Sequence, residues 1–229
     1  MLTFTPHDYQ AMELSARVAI VATVISLPFG YAVAYLLAFG RIRGKALLDG
    51  LVNLPLVLPP VVVGYLLLLL LGTKVWLGQL LNAVGIRLIF TWKAAVLASM
   101  VVGFPLLVRA IRIGLEEIDE RLIHASRTLG ARWYDTLLTV ILPLSIRSVL
   151  AGATLMFARS LGEFGATIII AGNIPGVTQT IPLAIYDYTN TPGGDRLALS
   201  LCVVSIVLAL AVLWFNEGLL RRFTRRARR

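Results

Sequence analysis

The sequence predicts an all-α membrane protein with about five transmembrane helices. This prediction depends on the composition, on the length of the apolar runs and on where the arginines lie. Of the 229 residues, 58% are hydrophobic and 14% are charged, and the mean hydropathy is +0.85. A soluble domain of this length carries about 25% charged residues. We therefore expect lipid to surround most of the chain, and the length predicts a single domain over residues 1–229.

Five apolar runs are candidates for the membrane spans. A helix needs about 20 apolar residues to cross the hydrocarbon core of a bilayer. Four runs are free of charge or nearly so, and one more has the length but contains Arg159 and Glu163. The spans are predicted, in chain order, at about 18–40, 51–71, 94–108, 149–172 and 197–215.

Proline and glycine interrupt the first three spans, and the second span carries the most of them, at Pro55, Pro59, Pro60 and Gly64. Proline removes an intrahelical hydrogen bond, and a membrane tolerates the freed carbonyl only where neighbouring helices or water satisfy it. These breaks favour a protein with a cavity or moving helices over a passive anchor. Simple packing kinks are the alternative.

The basic residues indicate on which side of the membrane each loop lies. The formal net charge is +9, and fifteen of the 21 Lys and Arg residues lie after span one, in segment 109–147 or in the C-terminal tail. Four lie on the opposite side. Because cytoplasmic loops carry an excess of Lys and Arg, we expect the N-terminus outside and both segment 109–147 and the C-terminus in the cytoplasm. The arginine-rich tail predicts contact with anionic lipid rather than with nucleic acid.

Motifs for catalysis or metal binding are missing from the sequence. FGRIRGKA near residue 40 is one residue too short for a phosphate-binding loop, and Ala46 stands where Ser or Thr must bind magnesium. His7 and His124 have no cluster of Cys, His or Asp around them, so we expect no zinc site. The single cysteine, Cys202, lies in an apolar run and is expected to pack there. The sequence thus predicts a chain that is not an enzyme and holds no cofactor or metal.

A charged pair interrupts the fourth predicted span. Arg159 and Glu163 are four residues apart, which places them on one face of a helix, where they can pair. Charges at the centre of a bilayer cost about 2.5–3.5 kcal/mol each on insertion scales, so the pair must face protein or water. Two interpretations remain open at this point, a gate or pathway lining and a structural ion pair between helices.

Segment 109–147 has the pattern of two short amphipathic helices joined at a glycine. The first helix is predicted from apolar residues at steps of three and four, and Gly130 is expected to end it in a left-handed conformation. Its apolar stripe is Leu115, Ile118, Leu122, Ala125 and Leu129. A second helix is predicted from near Ala131 towards Pro143, with Trp133, Leu137 and Ile141 on one face. Charges of both signs favour docking into a protein groove over lying on the bilayer surface.

This segment resembles the cytoplasmic loop of ABC importer permeases. Their signature is Glu-Ala-Ala, three residues, Gly, nine residues and Ile-x-Leu-Pro, and here Ala125, Gly130, Leu142 and Pro143 match it at unbroken spacing. The chain departs from the signature at His124, Ser126 and Val140. Residues 54–68, 158–167, 173–186 and 191–195 resemble the molybdate-type permeases, so the resemblance covers nearly the whole chain. Sulfate-type permeases share part of it but are longer.

The resemblance implies a type I ABC importer permease fold with a cytoplasmic helix-Gly-helix coupling element. It also implies a homodimer in the cytoplasmic (inner) membrane, two separate ATPase subunits that use ATP, and a periplasmic or extracellular oxyanion-binding protein. The implied function is that of the transmembrane subunit of an ATP-driven importer of molybdate or tungstate. The alternatives are a sulfate or thiosulfate permease of the same kind and, from another class, an autonomous secondary oxyanion transporter with Arg159 and Glu163 as its relay.

Two groups of site residues follow. By resemblance, the contacts with the ATPase are expected at Glu120, Arg121, His124, Ala125, Ser126, Arg127, Gly130, Ala131, Trp133, Leu142 and Pro143. A pathway for a dianion needs donors that bind weakly enough to release it. The candidates are Asn53, Ser99, Thr154, Arg159, Ser160, Glu163 and Thr167. Ser and Thr in spans also serve as ordinary interhelical contacts. Segments 73–91 and 173–195 are expected outside, either to receive the binding protein or to form short interfacial helices.

Overall fold

The computed structural model describes residues 4–40, 43–72, 75–85 and 87–226, and these residues form helices joined by turns, with no strand among them. The helices are α1 Pro6–Phe39, α2 Lys45–Val57, α3 Pro60–Leu71, α4 Trp76–Ala83, α5 Trp92–Glu116, α6 Glu120–Thr128, α7 Trp133–Thr136, α8 Leu142–Leu161, α9 Gly165–Ile170, α10 Ile181–Thr189 and α11 Asp195–Arg226. Some residues used in the predictions lie outside the described residues, namely Arg41, Thr73, Lys74, Arg228 and Arg229.

Within the described part of the chain, four helices are long and apolar enough to cross a membrane, and the bent pair α2 and α3 makes a fifth span if it is counted as one. The predicted all-α membrane fold with about five spans is confirmed. The span predicted over 51–71 is broken at its prolines, where α2 and α3 meet at an angle of 113°. Pro59 and Pro60 have no N–H to continue the ladder, and their rings clash with the preceding turn.

Other predicted spans have different ends in the structure. α1 already begins at Pro6, twelve residues before the predicted start at residue 18, and α11 extends over Asp195–Arg226. α5 runs to Glu116, well beyond the predicted end at residue 108. The span predicted over 149–172 is interrupted, since α8 ends at Leu161 and the separate short helix α9 begins at Gly165. Hydropathy could not locate this interruption, because the residues on both sides of it are apolar.

The predicted helix over 115–129 is also interrupted. The chain leaves the helix at residues 117–119, and α6 begins anew after Asp119, whose carboxylate accepts a hydrogen bond from the Arg121 backbone N–H at 2.9 Å. The second helix does not stop at Pro143. A π-helical turn over Leu137–Ile141 joins α7 to α8, so that Trp133–Leu161 is one continuous helix of 29 residues. The wider turn gives a proline room within a helix, because the bonding register shifts by one residue.

The centre of the bundle is formed by α1, α5 and α8. α5 lies parallel to α1, since the Arg17 guanidinium carbon lies 4.3 Å from the centre of the Trp92 ring and, further along both helices, Gly30 of α1 faces Leu107 of α5. α8 runs antiparallel to α5, with Gly103 of α5 facing Met156 and Ser160 of α8. A Cβ on Gly103 would lie 3.1 Å from Met156 Cγ. Small residues thus let the two helices approach closely, as in other membrane bundles.

The end of the bundle where α1 begins, here the Thr5 end, is held together by polar contacts. The Asp187 carboxylate accepts hydrogen bonds from Asn173 at 2.7 Å and from Gln179 at 2.6 Å. The Tyr188 hydroxyl donates to buried Asp8 at 2.8 Å. Burial raises the pKa of Tyr188, which favours the protonated hydroxyl that donates to Asp8. The loops at this end are therefore fixed to α1.

Candidate functional site

At the opposite end of the bundle, α6, Gly130 and α7 form an elbow, here the Gly130 elbow, over residues 119–136. Gly130 has φ +87°, the left-handed conformation that the sequence predicts. Its N–H donates to the Arg127 carbonyl at 3.0 Å, and the Ala131 N–H donates to the Ser126 carbonyl at 3.2 Å. These two bonds form a Schellman motif, which satisfies the carbonyls at the end of α6.

A hydroxyl pair holds the two arms of the elbow together. Ser126 Oγ on α6 lies 3.0 Å from Thr136 Oγ1 on α7, and Thr136 is buried. On the α7 arm, the Arg132 N–H donates to the Asp135 carboxylate at 3.1 Å. Of the α6 residues, all of which the structure describes, Ile123 is the one that is buried. The elbow therefore packs on the bundle through few side chains and keeps its angle largely by its own hydrogen bonds.

The outer surface of the elbow carries both apolar and charged side chains. Leu129 is 88% exposed and Trp133 is 66% exposed, and Arg121 and Arg127 are exposed on the same element. Leu122 and Leu129, which the sequence places on the apolar stripe of a helix, are both exposed. The break at residues 117–119 changes the helical phase, so that Ile123 packs instead. An exposed Trp and Leu among arginines suit a protein partner better than water.

A groove lies beside the elbow, between the end of α5 and the start of α8. Its volume is about 620 Å³, and its lining includes Glu117, Asp119, Leu122, Pro143 and Arg147. The lining thus combines two carboxylates and a guanidinium with apolar side chains. Such a groove can receive a side chain from a partner that docks on the elbow.

The structure brings most of the predicted coupling residues together on this surface. The exposed ones are Glu120, Arg121, His124, Ala125, Arg127, Gly130 and Trp133. Ser126 and Ala131 are half-buried at the elbow itself, while Leu142 and Pro143 lie further along the continuous helix. The last two therefore lie beyond the elbow surface, and Pro143 lines the groove.

A second group of candidate residues lies where α8 ends. Arg159 Nη1 is 2.6 Å from Glu163 Oε2, and the two side chains are 29% and 1% exposed. The other carboxylate oxygen of Glu163 accepts the Ala166 N–H at 2.8 Å. The pair that the spacing predicts is therefore present. Its predicted placement on one helical face is wrong, since Glu163 lies in the break between α8 and α9.

The other pathway candidates do not all join this pair. Ser99 and Ser160 are buried, and neither hydroxyl has a hydrogen-bond partner among the described residues. Thr167 is buried on α9, beyond the same break. In contrast, Asn53 donates to Asp49 on its own helix, and Thr154 donates to the Leu150 carbonyl. Their amide and hydroxyl donors are thus used within their own helices.

One structural feature was missed in the sequence, an ion network that joins α2 to α5. Arg112 Nη1 lies 3.1 Å from Asp49 Oδ1, and Arg112 Nε lies 2.7 Å from Glu116 Oε1. The spacing of Arg112 and Glu116 could have predicted their half of the network. Asp49 could not be added without the fold, because it is 63 residues away.

Comparison with known proteins gives concordant results. The family described as "Binding-protein-dependent transport system inner membrane component" matches residues 26–225. The chain is 49% identical to the molybdenum transport system permease protein ModB of Escherichia coli (strain K12), over 229 residues and 100% of both chains. It is also 49% identical to the ModB protein of Haemophilus influenzae, over 96% of both chains. The inward-facing MetNI methionine ABC transporter shares the fold, with a TM-score of 0.73 at 19% identity, over 94% of this chain and 95% of that one.

Proposed function

The chain belongs to the family of binding-protein-dependent transport system inner membrane components, and we propose that it is the transmembrane subunit of an ATP-driven importer of molybdate or tungstate. It is a multi-pass permease of the inner membrane. The observation that carries the substrate is the 49% identity to a molybdenum transport permease over the full length of both chains. This chain forms the pathway and is not an enzyme, and ATP is hydrolysed by partner subunits.

The Gly130 elbow is the contact with the ATPase. Its exposed surface, with Trp133 and Leu129 beside Arg127, supports docking into a protein groove. The excess of Lys and Arg in the loops at this end supports a cytoplasmic location for it and for the C-terminus, with the N-terminus outside. Two ATPase subunits then bind below a homodimer of this chain, one at each elbow.

Movement of the elbow is transmitted by one helix. Trp133–Leu161 is continuous for 29 residues, which corresponds to about 43 Å at 1.5 Å per residue. The helix starts in the elbow and ends beside Arg159 and Glu163. A rotation imposed at Trp133 when the ATPase subunits close on nucleotide therefore displaces the break after Leu161. ATP binding can in this way open or close the pathway half a membrane away.

The pathway passes this break, where Arg159 keeps an exposed part. Ser160, Glu163 and Thr167 lie buried behind it in the same stretch of the chain, and Ser99 is one turn from Gly103, which faces Ser160. The Thr5 end receives the binding protein that delivers the oxyanion. The fixed loops around Asp187 support this assignment, because a docking surface for a delivered substrate has to keep its shape.

Reconstitution tests the proposal directly. We expect proteoliposomes that contain the permease, its ATPase and its binding protein to accumulate radiolabelled molybdate only when ATP is supplied on the ATPase side. Unlabelled tungstate should compete fully. Full competition by sulfate at equal concentration would instead identify a sulfate-type permease. Uptake by this chain alone, driven by an ion gradient, would refute the ABC assignment and favour a secondary transporter.

A further inference from the structure

The pair of Arg159 and Glu163 lies close to the middle of the membrane. α5 carries no charged residue from Ala94 to Val108, between Lys93 and Arg109. Sixteen steps of 1.5 Å place Lys93 and Arg109 about 24 Å apart, most of the thickness of a hydrocarbon core. Gly103 lies about 3 Å along the helix from the middle of this run and faces Ser160, the neighbour of Arg159. The guanidinium therefore lies deep within the membrane, away from bulk water on either side.

The two side chains differ in their exposure at this depth. Glu163 is enclosed and is fixed on both sides, by Arg159 and by the Ala166 N–H. Arg159 keeps 29% of its side chain exposed, and the neighbouring Gly162 is exposed as well. A guanidinium at this depth does not face lipid, because that costs several kcal/mol. Its exposed part must face water or a second copy of the chain.

Buried hydroxyl groups accompany the pair. Ser160 is adjacent to Arg159 in the sequence, and Ser99 is one turn before Gly103 on the facing surface of α5. Neither Oγ has a hydrogen-bond partner among the described residues, although both residues are at least 95% buried. Buried donors without a protein partner usually hold water or a ligand. Together with the guanidinium they provide several donors at one depth.

We propose that Arg159 contacts the oxyanion halfway across the membrane, with the hydroxyls of Ser99 and Ser160 as further donors. This inference rests on the proposed transport function. Glu163 has a definite role in it: its carboxylate holds Arg159 in place and competes with the dianion for the guanidinium. The site therefore binds weakly enough to release the oxyanion, as passage through a pathway requires. An arginine without this carboxylate would retain the dianion.

A cysteine at residue 162 gives a test that does not depend on transport. Gly162 is exposed, and the nearest described atom to an added Cβ is the Ala158 carbonyl oxygen, 4.0 Å away. In a Cys202→Ala background, Gly162→Cys is the one thiol of the permease. We would measure its labelling in the reconstituted complex by two methanethiosulfonate reagents, one carrying a sulfonate and one a trimethylammonium group. The ratio of the anionic to the cationic rate reports the local potential.

We expect Arg159→Gln to lower this ratio about fivefold or more, and Glu163→Gln to raise it, since one unit charge within several ångströms changes rates by this order. Arg159→Lys should preserve the ratio. The double variant Arg159→Gln/Glu163→Gln, which leaves no unpaired buried charge, should bring it near unity. Arg109→Gln is the matched control and should leave the ratio unchanged, because Arg109 is an exposed arginine near the C-terminal end of α5. Molybdate should slow labelling when Arg159 is present and not in the double variant.

The outcomes separate the two proposals. The proposed site would be refuted if neither reagent labels Gly162→Cys in any nucleotide state. It would also be refuted if the ratio of the anionic to the cationic labelling rate is the same with and without Arg159. If ATP-dependent molybdate uptake persists in that case, the transport function stands and only the anion contact falls. If molybdate uptake is absent but the labelling ratio changes with Arg159, the proposed substrate is refuted and a pathway that attracts anions at Arg159 is supported.

Discussion

Replacement of Gly130 by alanine should uncouple ATP hydrolysis from transport without affecting folding of the spans. No described atom lies within 4 Å of an added Cβ, so the substitution creates no clash. Its cost comes from φ +87°, which an L-residue with a Cβ adopts only at an expense of about 1–2 kcal/mol. That expense lowers the population of the native elbow relative to its opened forms by about five- to thirtyfold.

The elbow is sensitive to a change of this size. α6 packs on the bundle mainly through Ile123, so its local stability is small, as expected for a segment with few buried contacts. We expect fewer molybdate ions carried per ATP hydrolysed and weaker stimulation of the ATPase by the loaded binding protein. Gly130→Asn should be milder, because asparagine tolerates the left-handed region. Gly130→Pro should be worse, since it also removes the N–H that donates to Arg127.

Gly44 provides the matched control. It has φ +93° and likewise no described atom within 4 Å of an added Cβ, but it begins α2 and lies outside the elbow. Gly44→Ala therefore introduces the same strain at a site with no proposed coupling role. Coupling would be measured as labelled molybdate accumulated against phosphate released in the same proteoliposomes. Equal ratios for Gly130→Ala, Gly44→Ala and the wild type would refute the role of the elbow.

Three further variants test other parts of the structure. Arg127→Glu should reduce coupling while insertion and expression remain normal, because it reverses a charge on the exposed elbow; wild-type coupling would count against docking there. Glu163→Gln keeps an acceptor for the Ala166 N–H but leaves the Arg159 guanidinium unpaired in the membrane. The temperature of thermal inactivation of the complex should therefore fall. An unchanged temperature would argue against a buried ion pair. Arg112→Gln removes the link to Asp49 and should destabilise the complex by no more than about 1 kcal/mol, because both side chains are partly exposed. A loss of stability several times larger would contradict the description of this network as weak.

The fold was predictable as far as hydropathy and local propensity determine it. Long apolar runs and the bias of Lys and Arg predict the spans, and the spacing around Gly130 predicts the turn. The 113° angle between α2 and α3 was not predictable in this way. A proline pair predicts that the helix breaks, but the direction of the bend depends on packing, here of Gly64 on α3 against the Ala166 backbone on α9. The sequence around Gly64 or around Ala166, taken by itself, does not predict that these two residues meet.

The candidate site was also predictable only in part from the sequence. Spacing predicts that Arg159 and Glu163 meet, and the structure has the contact. Spacing also suggested that they share a helical face, yet the helix ends between them. Pro143 shows the opposite error, since a proline was expected to end a helix that instead continues through a π-helical turn. In both cases the local rule is sound, but backbone register responds to neighbours that are distant in sequence.

The π-helical turn gives the continuous helix a defined weak point. In a π turn each N–H reaches one residue further back, the geometry is less favourable, and such turns occur mainly at functional positions. Here Leu137–Ile141 separates the elbow arm from the part of the helix that carries Arg159 and ends at Leu161. If the turn converts to regular α-helix, residues beyond it rotate by about 100° relative to the elbow. A change of that kind at the docking end would swing Arg159 towards or away from the pathway, which connects the elbow to the proposed anion contact through a single covalent element.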